Sequence, residues 1–322
     1  MAMGRSSGLR GFRAGGRNFP PRGCACQRTG RGPILPVQQS GRNAAEATMS
    51  VPEMKTVDIG GGETISYRER GGGTPLVFLH GLGGRSESWV TQYETFGPRY
   101  RVVGWDAPGY GNSTQPKSDD PGIAYYMDAA TRFLDALGLD RVHLVGHSVG
   151  TVIAASFNKH HGDRLLSLTL AEAVTGSGAE PEEARKKAVA ARLDELDEMG
   201  AAGFAKARTP NSLSPRATTE LVSRAVEFAS RMNVEGYKKL FRTLIGANIF
   251  DEVAPLKAPS MIVAGSDDRS APPAMVKEIA AAFPGIRHET IPGIGHQIAI
   301  EHPRRFNLLL EQFLNAAAKK AA

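Results

Sequence analysis

The chain has 322 residues, of which 41% are hydrophobic, and a formal net charge of +6. The charge is unevenly distributed, because residues 1–48 hold eight arginines against the single acid Glu46, which leaves a net charge of −1 for the remainder. The near-neutral charge of the remainder argues against a nucleic-acid or membrane partner for it. The length of the chain suffices for one or two globular domains.

Residues 1–48 are rich in glycine, arginine and proline and contain no apolar run long enough for a signal peptide or a spanning helix. We expect this segment to be a disordered extension. An arginine-rich targeting sequence and an RNA-binding arm are two interpretations of it. We favour a third, in which translation starts at Met49 and the upstream residues are dispensable, so that their deletion leaves activity and melting temperature unchanged.

Both cysteines, Cys24 and Cys26, lie in this extension. The rest of the chain therefore has no cysteine for a disulfide or a thiolate metal site, and the H-E-x-x-H pattern of zinc enzymes is also absent from it. We expect a cytoplasmic protein that uses no metal and no cofactor, and a homo-oligomer is compatible with the sequence.

From residue 54 onward, apolar runs and helical periodicity predict strands that alternate with helices. The predicted strands cover residues 54–59, 63–70, 75–80, 101–106, 141–146, 165–171, 260–265 and 287–292. The predicted helices between them cover residues 122–138, 148–161, 271–283 and 302–318. This alternation favours an α/β fold with an eight-stranded, mostly parallel sheet. A segment rich in helix formers, residues 173–254, interrupts it as an insertion.

The stretch Gly146-His147-Ser148-Val149-Gly150 stands between a predicted strand and a predicted helix. It reads G-x-S-x-G in strand–turn–helix context, which is the pattern of a nucleophile elbow. The flanking glycines permit the strained turn that exposes the serine hydroxyl. The sequence therefore predicts Ser148 as a nucleophile, and the alternative is an ordinary glycine-rich turn.

A serine hydroxyl is a weak nucleophile until a base takes its proton and an acid orients that base. Of the eight histidines, only His296 lies on a glycine-rich loop after a late strand, so it is the predicted base. His147, beside the serine in sequence, is assigned to packing. The histidines assigned to other structural or solvent-exposed positions are His143, His160, His161, His288 and His302.

Acyl transfer also needs N–H donors aimed at the developing oxyanion. One donor is expected from the backbone of Val149. The other is expected from the glycine-rich loop after the strand at 75–80, which reads His80-Gly81-Leu82-Gly83-Gly84, and the Leu82 N–H is the candidate. The loop lacks the G-x-x-x-x-G-K-[ST] pattern of a phosphate-binding loop.

Five motifs occur in the order typical of one family. They are residues 80–84, residues 105–113, residues 146–150, the loop with Asp268 and the Gly295-His296 loop. From about residue 54 to residue 314 the chain therefore resembles the α/β-hydrolase superfamily. The resemblance implies an α/β-hydrolase fold, with a core of residues 49–172 and 255–322 and a helical cap of residues 173–254 over the site.

The acid is implied by the same resemblance. Gly265-x-x-Asp268-x-x-x-Pro272 is similar to the acid loop of the family, in which the last acidic residue orients the histidine. Asp267 is the nearest alternative. A second alternative is Glu172, at the end of the strand at 165–171, since some hydrolases of this fold take the acid from that strand.

The insertion supplies the candidates for substrate recognition. Residues 205–210 and 236–242 loosely resemble cap segments of 3-oxoadipate enol-lactonase-like esterases and lactonases, but the aromatic residues expected beside Thr209-Pro210 are missing. Arg208 and Arg242 are the cations expected to bind a substrate carboxylate. Lys206 and Arg231 are alternatives, and each of these residues is also compatible with an ordinary solvent-exposed position.

Together these residues predict a serine hydrolase that cleaves a small carboxylic ester or lactone through an acyl-Ser148 intermediate. Hydrolysis of amide or carbon–carbon bonds by the same triad is the enzymatic alternative, although meta-cleavage hydrolases usually read G-N-S-x-G where this chain has His147. A small-molecule receptor of the same fold, with little turnover, is the alternative from a different class. Turnover that depends on Ser148 separates the enzymes from the receptor.

Overall fold

The computed structural model describes residues 50–321, and the predicted N-terminal extension with its two cysteines lies outside the described residues. Eight strands form one sheet in the order β1-β2-β4-β3-β5-β6-β7-β8. The strands are β1 (Met54–Asp58), β2 (Thr64–Arg70), β3 (Thr74–Leu79), β4 (Tyr100–Trp105), β5 (Val142–His147), β6 (Leu165–Ala171), β7 (Ser260–Gly265) and β8 (Arg287–Ile291).

The strand pairing is mostly parallel. β2 pairs antiparallel with β1 and with β4, and the other neighbours are parallel. The predicted eight-stranded sheet is therefore confirmed, and each predicted strand ends within one residue of the observed strand. Because β5, β7 and β8 run in the same direction, the loops that follow them lie along one edge of the sheet.

The helices of residues 50–321 include the four that were predicted. The complete set is α1 (Val90–Phe96), α2 (Gly122–Ala136), α3 (Val149–His161), α4 (Glu182–Ser212), α5 (Thr219–Ser230), α6 (Val234–Gly246), α7 (Pro273–Ala282), α8 (Ile298–Glu301) and α9 (Pro303–Ala321). The sequence did not predict α1 and α8, because seven and four residues are too short to establish a helical period. None of these helices combines the length and apolarity needed to span a bilayer.

Both faces of the sheet are buried. Successive strand residues point to opposite faces, so Val103 packs in one core cluster with α2 and α3, while Val102 packs in another with α1 and α9. Leu144 and Val145 on β5 divide in the same way. The sheet is thus a doubly covered platform, which explains why its parallel strands read as continuous apolar runs.

The insertion between β6 and β7 contains α4, α5 and α6. Its two ends meet where Gly176 and Asn248 form an isolated antiparallel bridge. Helix α4 is interrupted at Gly200, where φ is 64° and ψ is 171°. The insertion has a small apolar cluster of its own, and Leu82 from the loop after β3 packs against it. The buried members of this cluster are Leu193, Leu196, Phe204, Tyr237 and Phe241.

Candidate active site

Ser148 occupies a strained turn between β5 and α3. Its φ of 54° and ψ of −123° lie in a region that residues with a side chain rarely adopt. A Cβ on Gly146 would lie 2.3 Å from the carbonyl oxygen of Gly150, and a Cβ on Gly150 would lie 2.5 Å from that of Leu79. Both glycines are therefore required for the helix to approach the strand so closely. The Ser148 N–H donates to the Ala171 carbonyl at 3.0 Å, which helps to hold the turn.

The loops after β7 and β8 bring Asp268 and His296 to this turn. Nε2 of His296 is 2.8 Å from Oγ of Ser148, and Nδ1 of His296 is 2.8 Å from Oδ2 of Asp268. All three residues are buried. With the proton on Nδ1 and directed at Asp268, Nε2 has a lone pair that can accept the proton of Ser148. The structure thus unites the three residues that the sequence singled out.

Hydrogen-bond donors around Asp268 stabilise its ionised form. Its Oδ1 accepts the N–H groups of Ser270 and Ala271 at 2.8 and 2.9 Å. Burial acts to raise the pKa of Asp268, but the hydrogen bond to His296 and these N–H donors lower it below its usual value. The neighbouring Asp267 instead accepts hydrogen bonds from Ser214 and Ser266, both at 2.8 Å.

Glu172, the other alternative for the acid, lies near this site but contacts a different histidine. Its carboxylate is fully buried, and Oε2 is 2.7 Å from Nε2 of His147. The same carboxylate accepts the Ile298 N–H, and Nε2 of His147 is also 2.9 Å from the carbonyl oxygen of His296. Burial raises the pKa of Glu172. His147 therefore does more than pack, because it connects Glu172 to the loop that carries His296.

The pKa values of His296 and His80 are shifted in opposite directions. Burial acts to lower the pKa of His296, but the hydrogen bond to Asp268 and the charge of Glu172 raise it above its usual value. Burial lowers the pKa of His80 to about 4. His80 is therefore neutral near pH 7, with Nδ1 2.8 Å from the Gly81 oxygen and Nε2 accepting the Ala107 N–H at 3.0 Å. It ties the loop after β3 to the turn after β4.

This loop after β3, residues 80–84, lies directly against the serine turn. A Cβ on Gly81 would lie 2.8 Å from both Nδ1 of His147 and Cβ of Ser148, so no larger residue fits there. Leu82 follows Gly81 and lines the same cavity as Ser148. Val149 is the first residue of α3, and its N–H is one of the four that an α-helix does not use internally. Val149 and Gly81, the residue before Leu82, thus lie beside Ser148.

A cavity of about 440 Å³ lies between the sheet edge and the insertion. Ser148, His296 and the loop 80–84 form one side, and residues of α4, α5 and α6 form the other. Arg208 lines this cavity but is paired with Glu195. Arg242 lines a separate cavity beside α4 and α6, so the structure does not bring it to Ser148. Arg192, which the sequence did not single out, lines the cavity that contains Ser148.

Possible metal ligands within residues 50–321 come together once, in the group formed by Glu172, Asp268 and His296, whose ligand atoms lie within 4.8 Å of one another. Both ring nitrogens of His296 already face partners, Asp268 on one side and Ser148 on the other. The arrangement therefore has the geometry of a hydrogen-bonded relay from carboxylate to hydroxyl.

Comparison with known proteins agrees with this geometry. The model of the family described as the alpha/beta hydrolase fold matches residues 74–303, which is more than half of the chain. The chain belongs to the α/β-hydrolase fold family. The predicted superfamily and its fold are thereby confirmed, and the chain is a hydrolase by family.

The relatives of this α/β hydrolase carry names of several hydrolases. A protein of Caulobacter sp. strain K31, provisionally named carbamate hydrolase RutD, is 27% identical over 249 residues, which cover 76% of this chain and 91% of that protein. The (E)-2-((N-methylformamido)methylene)succinate hydrolase of Acinetobacter baylyi is 26% identical over 265 residues, 81% of this chain and 97% of that protein. The crystal structure of the enol-lactonase from Burkholderia xenovorans LB400 has 22% identity and a TM-score of 0.70, and the match covers 82% of this chain and all of that one.

Proposed function

We propose that this α/β hydrolase cleaves a small carboxylic ester or lactone through an acyl-Ser148 intermediate. The observation that carries the proposal is the continuous relay from Asp268 through His296 to Ser148, with both hydrogen bonds at 2.8 Å. In this relay His296 is the base and then the acid, and Asp268 holds the imidazole in one tautomer and stabilises the imidazolium.

In the first half-reaction, Oγ of Ser148 attacks the carbonyl carbon while Nε2 of His296 takes its proton. The tetrahedral intermediate then collapses, His296 gives the proton to the departing oxygen, and an acyl ester remains on Ser148. In the second half-reaction, water loses a proton to His296 and attacks this ester. The acid is released and the proton returns to Ser148.

The negative oxygen of each tetrahedral intermediate needs donors that are already in place. We assign this role to the N–H groups of Leu82 and Val149, since Val149 follows Ser148 and Leu82 follows Gly81, which lies against Ser148. The loss of one such donor typically costs about 2.7–4 kcal/mol of the barrier. The close approach of Gly81 to Ser148 supports the assignment of Leu82, because it brings the loop into the reach of the acyl oxygen.

We assign residues 173–254 as the cap of the site, on a core of residues 49–172 and 255–322. Helices α4, α5 and α6 line the cavity opposite Ser148, which supports this assignment. A cap in this position limits the access of bulk solvent to the site and holds the part of the substrate that does not react.

Hydrolysis of an amide or carbamate bond is the second candidate, and the names of two relatives favour it. The same relay serves this reaction, with nitrogen as the leaving atom and His296 as its proton donor. The two candidates therefore differ in the substrate and not in the residues that act on it.

Steady-state hydrolysis tests the proposal. Purified full-length protein is assayed with p-nitrophenyl acetate, p-nitrophenyl butyrate, short lactones and short enamides. We expect turnover of the esters, and we expect Ser148→Ala to remove it by up to about six orders of magnitude, since the residues of a triad act as a unit. Faster turnover of the enamides than of the esters would favour the amide candidate.

The matched control is Ser177→Ala. Ser177 lines the same cavity, and the change removes the same hydroxyl group. This variant should keep activity within about threefold of the wild type, because the proposed reaction does not use the Ser177 hydroxyl. Turnover that survives in Ser148→Ala would overturn the proposal, and so would no turnover of any of these compounds by the wild type.

A further inference from the structure

Arg192, on the first half of α4, is a cation of the cavity that the proposed reaction does not use. The other arginine of this cavity, Arg208, donates from Nε and Nη2 to the carboxylate of Glu195. The hydrogen bond of Arg192 is instead made to a neutral group, since Nη1 donates to the hydroxyl of Tyr237 at 3.3 Å. No carboxylate of the described residues forms an ion pair with Arg192, and none lines the cavity.

Aromatic side chains hold the guanidinium of Arg192 in place. Its Cζ lies 5.1 Å from the ring centroid of Phe241 and 5.7 Å from that of Phe204. Both rings are buried, as is Tyr237 between them in the same cluster. A guanidinium that rests on aromatic faces is oriented without use of its N–H groups, so those beyond the bond to Tyr237 stay free for a planar acceptor.

The aromatic cluster that orients Arg192 also contacts the proposed oxyanion loop. Leu82 packs against this cluster, and Gly81 next to it lies against Ser148. An anion held by Arg192 therefore lies in the same cavity as the reacting carbonyl, on the side formed by the insertion. A substrate that carries both groups spans the gap between Arg192 and Ser148.

We propose that Arg192 binds a carboxylate of the substrate, and that the preferred substrates are esters or lactones that also carry a free carboxylate. This inference rests on the proposed function. A guanidinium matches a carboxylate through two parallel hydrogen bonds. A single guanidinium balances one negative charge, which favours a carboxylate over a phosphate dianion. No acidic side chain of the described residues lines the cavity, and the Glu195 carboxylate, whose pKa the charge of Arg192 helps to lower, is already bound by Arg208.

Two esters that differ in one group test the inference. Mono-p-nitrophenyl glutarate carries a terminal carboxylate where p-nitrophenyl butyrate carries a hydrogen. For the wild type we expect the ratio of kcat/KM for the glutarate ester to that for the butyrate ester to exceed one. In Arg192→Gln this ratio should fall about ten- to a hundredfold, mainly through the KM of the glutarate ester.

Arg185→Gln is the matched control, because it makes the same substitution on the same helix. Arg185 lines the separate cavity, and its Nε donates to the carbonyl oxygen of Glu180. This variant should keep the wild-type ratio. An unchanged ratio in Arg192→Gln, or an equal fall in both variants, would overturn the inference.

Binding without turnover separates this inference from the proposed function. Titration calorimetry with glutarate on full-length Ser148→Ala should show binding, and the double variant Ser148→Ala with Arg192→Gln should bind about ten- to a hundredfold more weakly. Glutarate binding that depends on Arg192 in a protein that hydrolyses no ester would support the anion site and reject the proposed reaction. Binding that is absent, or independent of Arg192, would reject the anion site whether or not esters are hydrolysed.

Discussion

The two sides of the cavity differ in what fixes their side chains. On the sheet side, Ser148 follows β5 directly, and Asp268 and His296 lie three and five residues after the ends of β7 and β8, so the strands determine where they lie. On the insertion side, Arg192 and its aromatic neighbours belong to α4 and α6, and their direction depends on how these helices pack. The proposed chemistry therefore depends on the sheet, whereas the choice of substrate depends on packing between helices.

Two buried carboxylates on the sheet side also differ from each other, in the histidine that they contact and in the direction of their pKa shift. Asp268 contacts Nδ1 of His296 and has a lowered pKa, while Glu172 contacts His147 and has a raised pKa. We therefore expect Asp268→Asn to reduce kcat about 10⁴-fold, because the amide favours the wrong tautomer of His296. Glu172→Gln should reduce kcat by about tenfold or less, since Gln keeps an acceptor for the Ile298 N–H. Hydrolysis of p-nitrophenyl butyrate measures both.

Melting temperatures of the two variants provide the control for folding. A larger loss of kcat in Glu172→Gln than in Asp268→Asn, with both proteins folded, would move the role of the acid to Glu172.

A substitution in the loop after β3, on the same side of the cavity, should reduce kcat less than Asp268→Asn does. Gly81→Ala should reduce kcat about 10²- to 10³-fold, because the added Cβ would displace the loop and with it the Leu82 N–H. Gly72→Ala is the matched control, since its added Cβ meets no atom within 4 Å. Equal activity of the two variants would contradict the role of this loop.

The smallest expected effect is a shift in the pH profile of kcat/KM, which tests whether the charge of Glu172 acts on His296. His296 must be neutral to accept the proton of Ser148. Its raised pKa therefore places the acid limb of kcat/KM at a higher pH than an ordinary histidine would, and activity falls as the pH decreases through that limb. Glu172→Gln removes one charge that raises this pKa, so the limb should move to lower pH. A limb that stays in place would show that Glu172 does not act on His296 through its charge.

The sheet and the reacting residues could be predicted because their signals are local. Apolar runs between glycine-rich turns predict the strands, and the strand–turn–helix context of Ser148 predicts the elbow. His296 follows from its loop after a late strand, and Asp268 from the spacing of its loop. The structure places all three in contact, which the order of the motifs alone could not show.

Contacts between distant segments explain what the sequence did not predict. Arg192 was not singled out because α4 contains several charged residues, and the face that meets the cavity depends on the packing of α4 against α6. Arg208 and Arg242 were candidates by charge, yet one is paired with Glu195 and the other lines a separate cavity. The contact between Glu172 and His147 likewise requires the ends of β5 and β6 to be side by side.

Detection of the covalent intermediate on Ser148 is the most direct test of the proposed reaction. Full-length protein is mixed with excess p-nitrophenyl butyrate, quenched in acid within the first turnover, and analysed by intact mass and peptide mapping. We expect one butyryl group per chain, located on Ser148, with a matching burst of p-nitrophenol, and neither signal in Ser148→Ala. An adduct on another residue, or hydrolysis that continues in Ser148→Ala, would contradict the proposed reaction.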